Sequence, residues 1–315
     1  MIKASLFSEK KILVTGASGF IGSCLCENLL SRGAEVHGVS RTLQPKGSKG
    51  LYWWQGDLAD ITIVRELLTK IKPGYIFHLA SYVSGSRDLS LVLPTLHSNL
   101  ISTVNLLTAS TEVGCDRIIL IGSLEEPDSG SAEVIPSSPY AAAKWCSSAY
   151  ARMFYALYQT PVVNARVFMV YGPGQKDLLK LIPYVTLSLL RNNAPKISTG
   201  KRQVDWIYVE DVVEGLLAIM QSPGIEGNTV DLGSGVLVPV RTVVEKISKI
   251  INAKVNPLFG AISERQMEQN RVAQIKNTHT MIGWKPTTSL EKGLENTVNW
   301  YKENLNATEK RVFTN

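Results

Sequence analysis

The chain has 315 residues, 44% hydrophobic and 19% charged, which excludes a disordered or collagen-like chain and allows a core that needs no disulfide staples. Its 33 Lys+Arg against 27 Asp+Glu leave a formal charge of +6, scattered rather than arrayed as a stripe. That mild excess serves solubility first, an anionic small ligand second and nucleic acid a distant third.

Four cysteines occur, Cys24, Cys26, Cys115 and Cys146, with no CxxC pair and no histidine at metal-ligand spacing. They read as structural thiols in a reducing compartment, so a cytoplasmic location without a metal site is expected. Residues 1–11 carry mixed charge and no apolar core, unlike a secretory signal. No uncharged apolar stretch approaches the roughly 18 residues a membrane helix needs.

Residues 11–16 (KILVTG) are a β-branched run ending in glycine, the pattern of a buried strand. Residues 19–31 have helical spacing, with Ile21, Leu25, Leu29 and Leu30 on one side and Gly33 closing the end. Strands follow at 35–41 and 51–55, the second leading into Gly56-Asp57-Leu58. A helix over 61–71 stops at Pro73-Gly74. A strand at 75–80 precedes one long apolar helix over 89–113, with Pro94 near its start. A fifth strand covers 116–123, a long helix 140–159, and a sixth strand 162–171. Several strands are apolar on both faces, so the expected fold class is α/β, a doubly wound parallel sheet covered by helices. After Tyr171-Gly172-Pro173-Gly174 the rhythm changes to a helix over 178–191 and short strands. Residues 204–209 and 229–232 read as strands returning to the sheet, and 290–301 as a closing amphipathic helix.

Gly16-Ala17-Ser18-Gly19-Phe20-Ile21-Gly22 joins the first strand to the first helix. Glycines there permit a tight turn, close approach of the backbone to a pyrophosphate and close helix–strand packing, and the helix start offers N–H groups to phosphate. The pattern is specific because it sits between strand and helix at the head of an alternating chain. The second strand ends Val39-Ser40-Arg41-Thr42, with no acid to bind a ribose 2′-hydroxyl; Glu35 lies at the wrong end. Arg41, helped by Ser40 and Thr42, is placed for a 2′-phosphate, so NADP (NADPH) is expected ahead of NAD. Asp57 is read either as an adenine contact or as a turn aspartate.

Tyr140 and Lys144 stand four apart at the start of a helix, on one face. A phenol has a reference pKa of about 10, and a lysine ammonium one turn away is expected to lower it. Ser123 ends the fifth strand, at the carboxyl edge where ligands sit in such sheets. Its hydroxyl would steady a substrate oxygen while Tyr140 exchanges a proton with it.

These residues resemble the extended short-chain dehydrogenase/reductases that act on nucleotide-sugars, the epimerase/dehydratase group. The resemblance runs through TGASGFIG (15–22), GDL (56–58), HLAS (78–81), Asn99, Ser123, PYAAAK (139–144), RVFMVYGPG (166–174), WIYVEDV (206–212) and IGWKP (282–286). It implies a Rossmann-type fold with a smaller mixed α/β lobe that grips a nucleoside diphosphate sugar. On this reading 1–172 plus about 204–236 bind the cofactor, 173–203 plus about 237–305 bind the sugar nucleotide, and 306–315 form a tail. It implies Tyr140 as acid/base, Lys144 on the nicotinamide ribose and Ser123 on the substrate oxygen. It also sets Gly16, Ser18, Gly19, Phe20, Ile21, Gly22, Leu58, Leu79, Ala80, Ser81, Asn99 and Phe168 along the cofactor.

Within the family, 4,6-dehydratases place an Asp-Glu pair after the Ser/Thr, whereas here Leu124 precedes Glu125. Gly122-Ser123-Leu124-Glu125-Glu126 is closer to the run of GDP-4-keto-6-deoxymannose reductases, and the C-terminal stretches resemble the 4-ketoreductases that make CDP-abequose. The expected activity is NADPH-dependent reduction of a 4-keto-6-deoxy nucleotide-sugar, with Glu125 beside the sugar. C4 epimerisation through a transient 4-ketone is the second reading, and a non-catalytic NADP-binding sensor a remote third. Val204 falls where many members carry an arginine, so Arg202, with Arg265 and Arg271, is a candidate diphosphate ligand. His78 reads as a packed histidine. Trp145, Tyr150, Phe154, Tyr155 and Tyr158 crowd more than one face of their helix, which points to a homodimer pairing it with 89–113. No nucleic-acid or membrane partner is expected.

Overall fold

The structure, a computed structural model, describes residues 10–45, 49–127, 135–264 and 270–305, with Phe7, Gly47 and Met267. Expectations for Arg265 and the tail from 306 lie outside the described residues. The chain divides into two compact units.

The first unit runs to Val167 and includes Val213–Asp231 and Asn277–Trp284. Six of its strands are β1 (Lys11–Thr15), β2 (Glu35–Ser40), β3 (Leu51–Gln55), β4 (Tyr75–His78), β5 (Arg117–Ser123) and β6 (Val162–Val167). They lie in the order β6-β5-β4-β1-β2-β3, each neighbouring pair parallel, with Thr229–Leu232 beyond β6 as a seventh strand. The chain leaves β1 outward to β2 and β3, then returns to β4 on the other side. The reversal opens a crevice at the carboxyl ends of β1 and β4, where open α/β sheets bind ligands. Ile12, Leu13 and Val14 of β1 are all buried, as a strand covered on both faces requires.

The helix Ile61–Ile71 lays Val64, Leu67, Leu68 and Ile71 into this core and is capped by Asp60, whose side chain accepts from the Thr62 amide. At the opposite end of the sheet, Arg117 opens β5 with its guanidinium buried. It donates to the carbonyls of Ile219 (2.6 Å), Met220 (3.3 Å) and Ser222, and pairs with Glu226. It therefore caps the carboxyl end of the helix Val209–Gln221.

The single helix expected over 89–113 is instead broken. A 3₁₀ turn (Leu89–Leu91) and a short α-helix (Val92–Thr95) run into a π-helical stretch, Leu96–Ile101, before the α-helix Ser102–Val113. Pro94 has no N–H for the ladder, and the π turn aims Asn99 at the loop after β4.

The second unit takes Phe168–Val212, Leu232–Lys276 and the chain from Lys285. The strand expected over 162–171 divides here: β6 ends at Val167, and Met169–Tyr171 joins another sheet beside Gln203–Tyr208 and Leu237–Pro239. Residues 204–209 therefore do not return to the parallel sheet; their partners are Met169–Tyr171 and Leu237–Pro239, and the chain rejoins the first unit at Val213–Asp231 and again at Asn277–Trp284. Val204, 3% exposed, packs in this unit's core with Tyr171, Val243 and Leu294. Asp205, buried beside it, accepts from the amides of Ser234 (2.6 Å), Gly235 (3.0 Å) and Ala273 (2.9 Å), tying three segments together.

Candidate active site

At the end of β1 the chain turns through Gly16, whose φ is +67°. A side chain there would stand 2.7 Å from the Ala80 amide nitrogen and 2.8 Å from the Leu79 carbonyl carbon, both backbone. At Gly22 a Cβ would run into the Gly16 carbonyl oxygen. Both positions therefore exclude every larger residue, for space as well as for φ at Gly16. The Gly19 amide donates to Gly16 (2.9 Å), and the helix Phe20–Ser31 begins with no side-chain cap. Its first amides remain available to an anion, so the turn fits the pyrophosphate of a dinucleotide.

The β1–β4 crevice is braced from below. Thr15 Oγ1 accepts the Ala80 amide (3.1 Å) and donates to His78 Nδ1 (2.8 Å). His78 must then carry its proton on Nε2, which donates to Thr103 Oγ1 (3.1 Å); Thr103 donates on to the Asn99 carbonyl (2.6 Å). Burial, with Lys144 nearby, drives the His78 pKa down to about 3, so it stays neutral and packed, as expected. Asn99 Oδ1 accepts from the Tyr82 amide (2.7 Å) and Ser81 Oγ (3.2 Å), so its side chain holds the loop after β4.

At the far end of β2, Ser40 accepts from Gln44 (3.1 Å) and from the Thr42 amide (3.3 Å), and the Arg41 side chain is exposed. Asp57 Oδ1 accepts from the Ala59 amide (3.0 Å), the turn-aspartate alternative, while Asn105 Nδ2 holds the carbonyls of Leu58 (3.0 Å) and Ala59 (2.9 Å). Phe168, Arg202 and Arg271 belong to the second unit.

The helix Pro139–Tyr158 carries Tyr140 and Lys144. Ser138 caps it, its hydroxyl accepting from the Ala141 amide (3.1 Å), and Pro139 presets the first helical φ. Tyr140 thus emerges in the first turn and Lys144 one turn later. Lys144 is buried and donates to the Ile121 carbonyl of β5 (2.7 Å); its Nζ stands 5.9 Å from the Tyr140 ring centroid. Burial lowers its pKa to about 8, opposed by Glu126, which leaves it mostly charged at neutral pH.

The expected lowering of Tyr140 by Lys144 is not found. Burial pushes the phenol up to about 12; the Ser123 hydroxyl pulls it down, and Glu126 and Glu125 push it further up. The lysine is engaged with the main chain of β5 instead of the phenol, so desolvation decides the sign. Tyr140 is a protonated acid at neutral pH.

Ser123 accepts the Glu125 amide on its hydroxyl (3.2 Å), and Glu125 accepts from Ser137 (3.4 Å). The first unit therefore brings together a glycine turn, the Tyr140 phenol, the Ser123 hydroxyl and the buried Lys144 ammonium. The sequence reading passed over Glu126, which is buried and accepts from the Ser123 amide (2.7 Å) and Ser148 (2.8 Å). Its one signal was a second carboxylate in a turn directly after an apolar strand.

A parallel sheet with a glycine turn at its reversal point and a Ser–Tyr–Lys set at the next strand end defines the dinucleotide-binding fold of the extended short-chain dehydrogenase/reductases. The profile of the NAD dependent epimerase/dehydratase family matches residues 12–233, and the chain belongs to that family. It is similar to the dTDP-D-glucose 4,6-dehydratase of Mus musculus, 26% identical over 94% of this chain and 90% of that protein. The UDP-glucose 4-epimerase of Mycolicibacterium smegmatis is 27% identical over 93% of this chain and 98% of its own length. Among solved structures, the UDP-glucuronic acid 4-epimerase of Bacillus cereus, in complex with UDP-glucuronic acid and NAD, superimposes with a TM-score of 0.82. It is 25% identical, over 93% of this chain and 99% of that one. No helix among the described residues is long and apolar enough to cross a membrane.

Proposed function

We propose that this chain reduces the 4-ketone of a 4-keto-6-deoxy nucleotide-sugar with NADPH. The observation that carries the reading is the arrangement at the end of β5, where Ser123, the Tyr140 phenol and the buried Lys144 come together. Leu124, 5% exposed, fills the position where dehydratases of the family place an aspartate, which removes one proton carrier needed for elimination. A bound nicotinamide dinucleotide would supply the hydride. Tyr140 gives its proton to the oxygen, Ser123 Oγ holds that oxygen, and Lys144 offsets the phenolate left behind. Glu125 stands at the rim of the site, beside the sugar.

The epimerase relatives support a second reading, in which the same groups oxidise and re-reduce C4 with no net cofactor change. One assay separates the two. Net NADPH consumption with a 4-keto-6-deoxy nucleotide-sugar is the expected result; isomerisation of a 4-hydroxy nucleotide-sugar without net cofactor change would replace the reductase reading by the epimerase one.

The choice of NADPH rests on Arg41, with Ser40 and Thr42, at the end of β2 where no acid stands. Removing a charge-assisted contact costs about 1.5–3 kcal/mol. Arg41→Ala should therefore raise the Kd for NADPH roughly 10–100-fold and leave NADH nearly unchanged. Equal loss for both cofactors in a fluorescence titration would refute the 2′-phosphate contact.

Arg202 and Arg271 remain our candidates for the diphosphate, and Phe168 for the cofactor. The exposed Leu89, Val92 and Leu93, with Tyr150, Leu157 and Tyr158 of the helix Pro139–Tyr158, form the surface we assign to a homodimer. Light scattering at micromolar concentration should give twice the chain mass; a monomer would exclude it.

A further inference from the structure

Past the end of β4, strand β5 has lost its neighbour on one side. Along β5 the amides of Ile118 and Leu124 are bonded on the β6 side, to Pro161 and Val167, so by strand alternation the Ser123 amide and the Ile121 carbonyl point the other way. Register with β4 ends at His78 opposite Leu120. Two main-chain groups just above that level therefore lack a strand partner, and both are satisfied by side chains. Lys144 Nζ takes the Ile121 carbonyl (2.7 Å), and Glu126 Oε1 takes the Ser123 amide (2.7 Å).

Glu126 is 3% exposed, and its place is prepared. Gly122 leaves the space: a Cβ there would stand 2.5 Å from Glu126 Oε1 and 2.8 Å from Asn164 Oδ1. Ser148 donates to Glu126 Oε2 (2.8 Å), and Asn164 Nδ2 donates to Ser148 Oγ (2.9 Å). The Glu126 amide in turn donates to the Ser123 carbonyl (3.1 Å). Both main-chain groups of Ser123 are thus clamped by one residue, which is itself locked by the helix Pro139–Tyr158 and by β6.

We propose that Glu126 is a positioning residue for the reaction: its buried carboxylate fixes the Ser123 main chain, and with it the hydroxyl, while serving as counter-charge to Lys144. The proposal rests on the Ser123–Tyr140–Lys144 reading and deepens it. The carboxylate raises the pKa values of both Lys144 and Tyr140, so removing its charge lowers both. Glu125 on the same loop also raises Tyr140, and His78 on β4 is lowered by Lys144; Arg166, opposite Gly122 on β6, is paired with Asp231.

The test uses the full chain with Glu126→Gln, which keeps the volume and one acceptor, and Glu126→Leu, which keeps neither. The first readout is the titration of Lys144 by NMR of 13Cε-labelled lysine, assigned by its loss in Lys144→Met. It is read without cofactor or substrate. In Glu126→Gln, Lys144 should titrate below the wild-type value of about 8. The second readout is turnover: kcat should fall roughly tenfold with KM within about twofold, and the alkaline loss of rate should move to lower pH with Lys144. Glu126→Leu should lose more kcat; if it fails to fold, the Gln variant decides. A Lys144 titration at the wild-type pH, or a shifted one with wild-type kcat, overturns the proposal. A wild-type chain inactive on every keto-sugar would instead sink the reductase reading, and the lysine titration would still decide for Glu126.

Discussion

Tyr140→Phe is expected to lower kcat for ketone reduction by about 10²–10⁴-fold, the range for loss of a positioned proton donor. Only the hydroxyl is deleted, and Phe keeps the ring against which Lys144 stands at 5.9 Å. Ser123 keeps its contacts with Glu126 and Glu125, so a substrate oxygen would still be held. NADPH should accordingly bind within about twofold of wild type, since the glycine cradle lies at the ends of β1 and β4. The pH dependence follows from the same groups. Donation requires a protonated Tyr140, with a pKa of about 12, and is helped by a charged Lys144, with a pKa of about 8. Lys144 is the first of the two to lose its proton as pH rises. The rate of reduction should therefore be level below about 8 and fall above it. A rate that climbs between pH 8 and 10, or a Tyr140→Phe variant with wild-type kcat, would remove Tyr140 from the role of acid.

What could be read from the sequence here was local. The glycine turn and the Tyr140–Lys144 spacing fix backbone geometry within a few residues, and both stand where they were expected. The misreadings concern partners distant in sequence. An apolar run over 162–171 fits a strand in either of two sheets, and only the pairing of Met169–Tyr171 with Gln203–Tyr208 shows the break at Phe168. The π turn around Asn99 leaves the apolar pattern of its helix intact, so periodicity cannot reveal it. The sign of the Tyr140 shift depends on how much protein surrounds the hydroxyl and on where the lysine is held, both tertiary properties. The placement of Glu126 was hidden for the same reason, since the strand neighbour that the Ser123 amide lacks is known only once β4 is seen to stop.

Arg117→Ala is expected to be strongly destabilising, costing about 3–5 kcal/mol. The side chain is 6% exposed and serves two purposes at once. It pairs with Glu226, and it satisfies carbonyls at the end of the helix Val209–Gln221 that have no further turn to bond. Truncation would leave the helix-end carbonyls without a donor and the partly exposed Glu226 carboxylate without its partner. For the first unit this corresponds to a fall in melting temperature of about 6–20 °C. Arg117→Lys should recover only part of the loss, because an ammonium cannot reach the helix end and Glu226 with one planar fork. Glu226→Gln, which keeps an acceptor for the guanidinium, should cost less than Arg117→Ala. This order separates the two contributions: if the ion pair alone mattered, Glu226→Gln and Arg117→Ala would lower the urea midpoint equally. A smaller loss in Glu226→Gln therefore assigns the remainder to the helix end. An Arg117→Ala midpoint within experimental error of wild type would mean that the buried clasp contributes no net stability.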